Sequence, residues 1–597
     1  MSHDFPSAYY GLIAGRDNVV FLETSRYDAD NYRSFLFIDP IDTLQACSVD
    51  EVPGLLADIE KYLARNCYLA GYFGYECGYH FEKIAGSSAA PSPLAWFGVY
   101  PAPIVFNHLA GTFDAGHEAL RAPARDDGVP GEYAIGDLRC DIPADEYFRT
   151  VDTIKGLIRS GCTYQINFTT KYVFEFHGST MALYDALKKG QRVSYGAFIR
   201  ADGRTVLSFS PELFFRRKDD TIITRNDVGR IAEIGSVKVR ELFAVEKYQT
   251  LFQMTSTVEG RIRQGVTYRD IFQSLFPSGS VTGAPKIRSM QIIRELEDDW
   301  RGVYTGAIGY FSPANEAVFN VAIRTLVIDG GRGEMGVGGG IVCDSSPEEE
   351  YGECQLKAEF LTTRHEEFGL IETLLWDDGY RLLSRHIRRV SESAEYFDYP
   401  CDGDRLIKSL VARSKEFLSA KRYKVRLVLD RHGNATVESW VIDEREPDLA
   451  RVALSGVRTD SKDRFLYHKT TRREVYDQLH RVAAGNGFAD VIFMNEKSQV
   501  TEGAISNVFI RKGKDLITPL VQCGLLNGVY RQHLIETQPG VCEGVVSLDD
   551  LRNADAIYIC NAIRGLRAVT LCEQYLGPGS DSDAARAGQV CEHWTRS

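Results

Sequence analysis

Two short segments in the last third of the chain supply a lysine and a carboxylate that could serve one cofactor. Lys469 lies in the run Tyr-His-Lys-Thr-Thr, and Glu502 lies in the later run Val-Thr-Glu-Gly-Ala. A lysine amine can attach to an aldehyde and then carry protons. A carboxylate can keep a pyridine nitrogen protonated, so that the ring accepts electrons. A lone lysine in a polar stretch is usually a solvated surface residue, but the pair in this order predicts a site for pyridoxal phosphate (PLP).

Four further segments accompany this pair. The strand-like run Phe-Gly-Leu-Ile-Glu-Thr starts at Phe368, and a basic stretch that contains Arg389 follows it. A run with the character of a strand, a glycine turn and a helix start ends at Arg531, and a loop-like run starts at Cys560. In this order the motifs resemble the fold-type IV PLP enzymes, the family of aminodeoxychorismate lyase, D-amino acid aminotransferase and branched-chain aminotransferase.

The resemblance implies a set of cofactor contacts in the C-terminal third: Lys469, Glu502, Arg389, Asn561 and Val529. Lysine would hold the cofactor, and Glu502 would contact its pyridine nitrogen. Arg389 would bind the phosphate, together with backbone amides at the helix start. The alternative for Arg389 is a basic helix face that it shares with Arg385 and Arg388.

The first 362 residues show alternating strand and helix patterns. Leu69–Tyr75 and Ala197–Arg200 are apolar runs typical of buried strands, bounded by turn residues. Tyr147–Ile158 and Lys286–Leu296 carry apolar residues at helical spacing. These patterns alone indicate only an α/β or α+β fold.

A series of motifs in this region is more specific than the patterns. The motifs occupy Gly161–Asn167, Ser210–Phe215, Phe276–Lys286, Arg301–Gly306, Phe319–Thr325, Gly338–Val342 and Glu350–Lys357. In content and order they resemble the chorismate-utilising enzymes, which include aminodeoxychorismate synthase component I, anthranilate synthase component I and the isochorismate and salicylate synthases. The resemblance implies a fold of two large sheets with helices outside.

Chorismate carries two carboxylates, and this explains several residue types in the motifs. Arg324 could clamp one carboxylate bidentately. Glycines such as Gly283 and Gly339 let backbone N–H groups approach an anion closely. Tyr304 and Lys357 are candidates for further substrate contacts.

Three carboxylates in the same motifs are candidates for catalysis and metal binding. Glu212 matches the position to which the family assigns an acid/base role. Glu350 and Glu353 would share one face of a helix and suit Mg²⁺, which the family uses to neutralise a substrate carboxylate. The alternative for this pair is a solvated acidic helix start, because Glu348 and Glu349 precede it.

The chain departs from the chorismate-utilising pattern where Arg225 runs directly into Asn226. In the family several tens of residues separate these motifs, with a Pro-Ile-Lys-Gly-Thr or Pro-Ile-Ala-Gly-Thr motif and an Ala-Glu-Asn run. The lysine of the first is the proposed nucleophile of aminodeoxychorismate synthases, and the glutamate of the second is a metal ligand. Three explanations stay open: a natural deletion that impairs the domain, a segment lost from the sequence, or a substitute lysine, with Lys238 the nearest candidate.

Length and composition limit the other function classes. The 597 residues exceed what one core organises, and the net charge of −13 with scattered basic residues argues against nucleic acid or an anionic membrane as a partner. The thirteen cysteines show no paired spacing, so we expect reduced thiols in a cytoplasmic protein. The N-terminus has no signal-peptide pattern, and no apolar run is long enough to span a bilayer.

The predicted organisation is two packed modules. Residues 1–364 would form the chorismate-utilising domain, and residues 365–597 would form a fold-type IV module of two small α/β subdomains. The boundary is placed in the charged stretch Thr363–Glu367, whose shortness favours direct packing. A homodimer through the C-terminal module is one arrangement that the resemblance implies.

Fusion of these modules favours para-aminobenzoate synthesis. The first would aminate chorismate to 4-amino-4-deoxychorismate, with ammonia from a separate glutamine amidotransferase subunit, because no glutaminase motif occurs in this chain. The second would release pyruvate to give 4-aminobenzoate for folate. Two alternatives stay open: an aminotransferase in the C-terminal module, and a first domain of the anthranilate synthase type or without catalysis.

Overall fold

The computed structural model describes residues 3–84, 93–114, 131–226, 228–247, 252–363, 367–442 and 450–577. The chain divides into two compact units, residues 2–366 and 367–597. Most of the predicted boundary stretch, residues 364–366, lies outside the described residues. Within the described ranges, no helix is both long enough and apolar enough to cross a membrane.

The N-terminal unit contains two large antiparallel sheets and helices that cover them. The helices are α1 (Tyr10–Ala14), α2 (Val52–Leu63), α3 (Cys77–Phe81), α4 (Ala144–Arg159), α5 (Thr180–Gly190), α6 (Tyr268–Leu275), α7 (Lys286–Leu296) and α8 (Pro347–Ala358). The strands are β1 (Val19–Glu23), β2 (Arg33–Phe37), β3 (Asp42–Ala46), β4 (Tyr68–Phe73), β5 (Ala95–Tyr100), β6 (Ile104–Asn107), β7 (Thr112–Phe113), β8 (Tyr133–Cys140), β9 (Gln165–Gly178), β10 (Tyr195–Ala201), β11 (Arg204–Ser210), β12 (Leu213–Lys218), β13 (Thr221–Thr224), β14 (Lys238–Lys247), β15 (Phe252–Arg261), β16 (Gly283–Ala284), β17 (Ala307–Phe311), β18 (Glu316–Val321), β19 (Thr325–Asp329) and β20 (Arg332–Ile341).

The two sheets pack face to face, with helices on their outer faces. The first has the order β16-β9-β20-β19-β11-β10-β1-β2-β6-β7 with β8 beside β9, and the second has the order β14-β15-β13-β12-β18-β17-β4-β5-β3. Strand β4 shows why its sequence is apolar throughout: Ala70 and Tyr72 pack between the sheets, whereas Leu69 and Phe73 pack under helices α2 and α6. A strand buried on both faces needs apolar residues at every position. The predicted strands at β4 and β10 and helices α4 and α7 are confirmed.

An apolar surface surrounds the outer strand β14 of the second sheet. Strand β14 pairs with β15 and ends the strand order. Exposed large hydrophobic side chains concentrate in this hairpin and just before it: Ile234, Val237, Val239, Leu242, Phe243, Val245 and Met254. The hairpin follows the Arg225–Asn226 junction in the chain.

The C-terminal unit has a small sheet and a larger mixed sheet. Its helices are α9 (Leu383–Phe397), α10 (Gly403–Ser414), α11 (Glu474–Gly485), α12 (Val529–Thr537) and α13 (Leu548–Arg552). Its strands are β21 (Leu370–Trp376), β22 (Tyr423–Leu429), β23 (Ala435–Val441), β24 (Arg451–Thr459), β25 (Asp490–Asn495), β26 (Val500–Gly503), β27 (Asn507–Lys512), β28 (Asp515–Pro519), β29 (Val541–Gly544), β30 (Ala556–Asn561) and β31 (Gly565–Leu576).

Each sheet of the C-terminal unit has its own core. The small sheet, β21-β22-β23, packs one face on α9 and α10, and α9 contributes Val390, Ala394 and Phe397 at helical spacing. The larger sheet has the order β26-β25-β24-β31-β30-β27-β28-β29, and α11 packs on it through Leu479 and Ala483. The predicted module of two small subdomains is confirmed.

Candidate active sites

A cavity of about 1170 Å³ opens in the C-terminal unit between its two sheets. The five residues predicted to contact a cofactor, Lys469, Glu502, Arg389, Asn561 and Val529, all line this cavity. They come from different elements, separated by up to 172 positions in sequence (561 − 389). The structure therefore brings the predicted set into one place, although the role of each residue stays a prediction.

Lys469 is held in the cavity wall by its own backbone. Its carbonyl accepts a hydrogen bond from the N–H of Ile371 at 2.8 Å, and the N–H of Thr471 donates to the carbonyl of Gly369 at 2.8 Å. The Thr471 hydroxyl accepts from the N–H of Gly369 at 2.9 Å. These bonds attach the lysine segment to the start of β21, so the side chain projects from a fixed point.

The electrostatics of the cavity favour a neutral Lys469 amine near physiological pH. Burial lowers the pKa of Lys469 to about 7, and the charges of Arg473 and Arg389 add to this effect. Burial raises the pKa of Glu502 to about 8, although a backbone hydrogen bond from Leu526 and the charge of Arg473 lower it. A cationic group placed beside Glu502 would favour its charged form, so this carboxyl suits a protonated pyridine nitrogen.

We expect Glu502→Gln to keep the cofactor bound but to lower kcat by about 10²-fold, because an amide cannot hold the pyridine nitrogen protonated. KM should change by less than about threefold. Steady-state kinetics, with the visible absorbance of bound cofactor as a second readout, check this. Glu573→Gln, at an exposed carboxylate paired with Arg552, is the matched control. A change in KM alone would mean that Glu502 has only a structural role.

Arg389 is positioned by a buried carboxylate that the sequence analysis did not single out. Its Nε and Nη2 donate to the two oxygens of Glu372 at 2.8 and 2.7 Å. His386 Nδ1 lies 2.6 Å from the same carboxylate. Burial alone would raise the pKa of Glu372, but Arg389 and His386 lower it from 4.5 to about 2. Glu372 therefore stays charged and fixes the orientation of both basic side chains.

This cluster predicts a pH dependence of the C-terminal unit. The folded pKa of Glu372, about 2, lies below its ordinary value of 4.5, so its contribution to stability is present above pH 4.5 and is lost as the pH falls towards 2. The pKa difference corresponds to about 3 kcal/mol. We expect Glu372→Gln to destabilise β21 and α9 by about this amount at pH 7, because Arg389 loses its buried partner.

Hydrogen exchange of β21 and α9 between pH 7 and pH 3.5 measures this effect. The difference between wild type and Glu372→Gln should shrink as the pH falls. Glu416→Gln, at an exposed carboxylate that pairs with Arg413, serves as the control. Equal protection of the two proteins at pH 7 would show that Glu372 contributes no net stability.

The residues around Arg389 suit the phosphate of a PLP molecule. The buried Nε2 of His386 has no hydrogen-bond partner, and His386 lines the cavity beside Arg389. Helix α12 begins there after Gly528, with no side chain capping its first N–H groups. Uncapped helix amides and an arginine form a donor set that suits a phosphate, and Nε2 of His386 adds a donor when the imidazole is protonated.

Glu212, the predicted acid/base residue of the N-terminal unit, lies 6% exposed just before β12. Its N–H donates to Ser210 Oγ at 3.1 Å, and its Oε1 accepts from Ser280 Oγ at 2.6 Å. Ser280 belongs to the motif that ends in Gly283. The structure therefore joins two motifs that lie about 70 residues apart in sequence.

Helix α8 packs its motif residues against the glycine run of β20. Lys357 Nζ donates to the carbonyl of Gly338 at 2.6 Å. A Cβ at Gly339 would lie 2.9 Å from the Glu350 carboxylate. Three residues earlier in β20, a Cβ at Gly336 would lie 2.1 Å from the ring of Tyr304. Glycine is thus required at Gly336, where the buried ring of Tyr304 lies directly on the strand, and Gly339 leaves room for the Glu350 carboxylate.

Gly283 and Arg324 occupy special backbone positions. Gly283 has φ +145°, and a Cβ there would lie 2.2 Å from the carbonyl of Gln165, so glycine is required where β16 pairs with β9. Arg324 has φ 50°, and its carbonyl accepts from the N–H of Phe209 at 3.1 Å. A left-handed conformation at a non-glycine residue between β18 and β19 marks a site of local strain.

The predicted Mg²⁺ ligands Glu350 and Glu353 both lie on helix α8, three residues apart. Glu353 forms an ion pair with Lys357 at 2.6 Å, and Glu350 accepts from Ser345 Oγ at 2.7 Å. Across the described part of the chain, no group of three or more His, Cys, Asp or Glu side chains could hold a metal ion. Lys238 lies exposed at the start of the edge strand β14, separated from β12 by two strands. The Mg²⁺ ligands and the substitute lysine both stay predictions.

The two folds and the PLP-type cavity define an enzyme with two modules. This chain belongs to the chorismate binding enzymes, whose profile matches residues 17–225 and 223–363, and it carries a class IV aminotransferase domain matched at residues 369–572. The class IV fold implies PLP. The two stretches of the first match meet at residues 223–225, where the sequence analysis places a missing segment.

Relatives of the N-terminal unit include two kinds of synthase component. The chain is 30% identical to anthranilate synthase component 1 of Pseudomonas putida over 367 residues, which cover 50% of this chain and 74% of that protein. It is 31% identical to aminodeoxychorismate synthase component 1 of Klebsiella aerogenes over 337 residues, 47% of this chain and 74% of that protein. The structure of anthranilate synthase component I from Streptococcus pneumoniae aligns with a TM-score of 0.51 and 25% identity, covering 57% of this chain and 94% of that one.

Proposed function

We propose that this chain serves para-aminobenzoate synthesis. Its N-terminal unit is built for amination of chorismate to 4-amino-4-deoxychorismate, and its C-terminal unit eliminates pyruvate from that product. The observation that carries the proposal is the joining of a chorismate binding domain to a cavity lined by Lys469 and Glu502. An anthranilate synthase makes its aromatic product without PLP, so a PLP domain fused to one would have no step to perform.

In the C-terminal unit, some residues of the cavity are proposed to bind the cofactor, and Lys469 is proposed to move the proton. Arg389, His386 and the start of α12 would hold the phosphate of PLP, whose ring, when bound, accepts electron density from the carbon that carries the substrate amine. Lys469 Nζ, with its pKa lowered to about 7, can accept the proton from that carbon. The carbon–oxygen bond to the enolpyruvyl group then breaks, and Nζ can return the proton to the departing enolpyruvate as it becomes pyruvate.

In the N-terminal unit, more of the motif residues are candidates for substrate binding than for catalysis. Arg324, Tyr304, Lys357, Gly283 and Gly339 are proposed to bind the carboxylates of chorismate. Glu212, held by Ser280, is proposed to act as acid or base on the departing hydroxyl. Glu350 and Glu353 are proposed as Mg²⁺ ligands, but no step above depends on the metal. A separate glutamine amidotransferase subunit would supply ammonia.

Synthetic 4-amino-4-deoxychorismate tests the C-terminal assignment directly. Protein loaded with PLP should convert it to equimolar 4-aminobenzoate and pyruvate, measured by liquid chromatography and a coupled dehydrogenase assay. Transfer of its amino group to a keto acid, without release of pyruvate, would instead identify an aminotransferase.

A further inference from the structure

Strand β22 and the residue before it present a row of three cations to the cavity. Its residues Tyr423, Val425 and Leu427 pack into the core of the small sheet. On the opposite face, Arg422, Lys424 and Arg426 all line the cavity. Alternate residues of a strand project from the same face about 7 Å apart, so the row follows from the period of the strand.

Two members of the row have unused hydrogen-bonding capacity. The Nε atoms of Arg422 and Arg426 are buried and have no hydrogen-bond partner. Glu438 is the cross-strand neighbour of Arg426, but it is exposed and no ion pair joins the two among the described residues. Lys424 differs, because its Nζ lies 6.0 Å from the ring centre of Trp440. A guanidinium donor buried without an acceptor is costly, so a ligand that supplies acceptors is expected there.

The charge of the cavity points in the same direction. Among the described residues, ten lysines and arginines line it against five aspartates and glutamates, although the chain as a whole carries a net charge of −13. In the proposed function Arg389, His386 and the start of α12 bind the cofactor phosphate. This leaves the cations at β22 for the anionic groups of a substrate.

We infer that Arg422 and Arg426 bind carboxylates of the substrate, and so select an amine that carries two carboxylates. This inference rests on the proposed function of the C-terminal unit, because 4-amino-4-deoxychorismate has one carboxylate on its ring and one on its enolpyruvyl group. A guanidinium can bind a carboxylate through two parallel hydrogen bonds. A substrate with an aliphatic side chain would leave both guanidinium groups without an acceptor, which disfavours it.

The experiment compares Arg422→Gln and Arg426→Gln with wild type in the full chain loaded with PLP. KM for synthetic 4-amino-4-deoxychorismate should rise about 10- to 100-fold in each variant, as expected for loss of a charge-assisted hydrogen bond. The value of kcat should stay within about threefold, because the reacting atoms are not touched. Arg405→Gln, at an exposed arginine of α10 that does not line the cavity, is the matched control.

A binding measurement gives a readout that does not require turnover. Isophthalate, a dicarboxylate without an amine, is titrated by calorimetry into wild type and both variants, and its affinity should fall about 10- to 100-fold. Arg426→Lys, which keeps the charge and most of the side chain, should recover part of the affinity. Melting temperatures within about 2–3 °C of wild type exclude misfolding as the cause.

The outcomes separate this inference from the function on which it rests. If wild type releases pyruvate but both glutamine variants keep the wild-type KM and isophthalate affinity, the inference is wrong and the lyase assignment stands. If wild type releases no pyruvate, the lyase assignment fails. The isophthalate titrations then still decide whether the row binds a carboxylate.

Discussion

The Lys469→Ala variant is expected to lose pyruvate release by about 10³-fold or more while its fold is preserved. In the proposed function Lys469 supplies both the amine that attaches the cofactor and the base that moves the substrate proton. Lys424, the other lysine among the described residues that lines the cavity, is exposed and lies beside the ring of Trp440. Alanine keeps the backbone bonds to Ile371 and Gly369, since these use main-chain atoms.

Borohydride reduction followed by peptide mass spectrometry measures the attachment itself. Wild type should retain the cofactor on the peptide that contains Lys469, and Lys469→Ala should retain none. Lys497→Ala, at an exposed lysine (68% side-chain exposure), should behave like wild type. Unchanged turnover in Lys469→Ala, or labelling of another lysine, would contradict the assignment.

The second large effect concerns the N-terminal unit. With chorismate, saturating ammonium and Mg²⁺, we expect formation of 4-aminobenzoate to be slower by about 10⁴-fold than in a chain with the family segment. The Arg225–Asn226 junction removes both the nucleophilic lysine and one metal carboxylate that the family resemblance implies. A loss of about 3 kcal/mol for each group corresponds to this factor.

Two controls make that measurement decisive. Synthetic 4-amino-4-deoxychorismate in the same reaction mixture shows that the lyase step is working. A variant with the family segment inserted between Arg225 and Asn226 should restore amination. Robust turnover by the unmodified chain would refute the impairment, and its loss in Lys238→Ala would then identify the substitute lysine.

The sequence predicted the helices and strands, and which motifs form a site, better than it predicted which side chains contact each other. Strand β4 and helix α7 follow from local apolar patterns, which are read within a dozen residues. The contact of Tyr304 with Gly336 and that of Glu212 with Ser280 depend on sheet register, which no local pattern specifies. The motifs indicated that these residues matter, but not which of them touch.

The residues missed in the C-terminal unit share a physical reason. Glu372 lies in the strand motif that starts at Phe368. Its role comes from the ion pair with Arg389, on a helix that begins eleven residues after Glu372. Arg422 and Arg426 alternate with core residues of β22, a pattern that predicts a polar face but not what that face meets. A cavity wall and a solvated sheet face have the same sequence signature. Only the second sheet of the unit distinguishes them.

The hydrogen bond between Ile371 and the Lys469 carbonyl has a mechanical consequence for the two sheets of the C-terminal unit. Because the lysine backbone is attached to the small sheet, any rocking of that sheet carries the amine with it, while Glu502 stays with the larger sheet. The distance between amine and carboxylate would therefore report opening and closing of the cleft. The Ile371 N–H should exchange slowly with solvent in every state that keeps Lys469 in place. Its hydrogen-exchange rate therefore measures whether the site is intact.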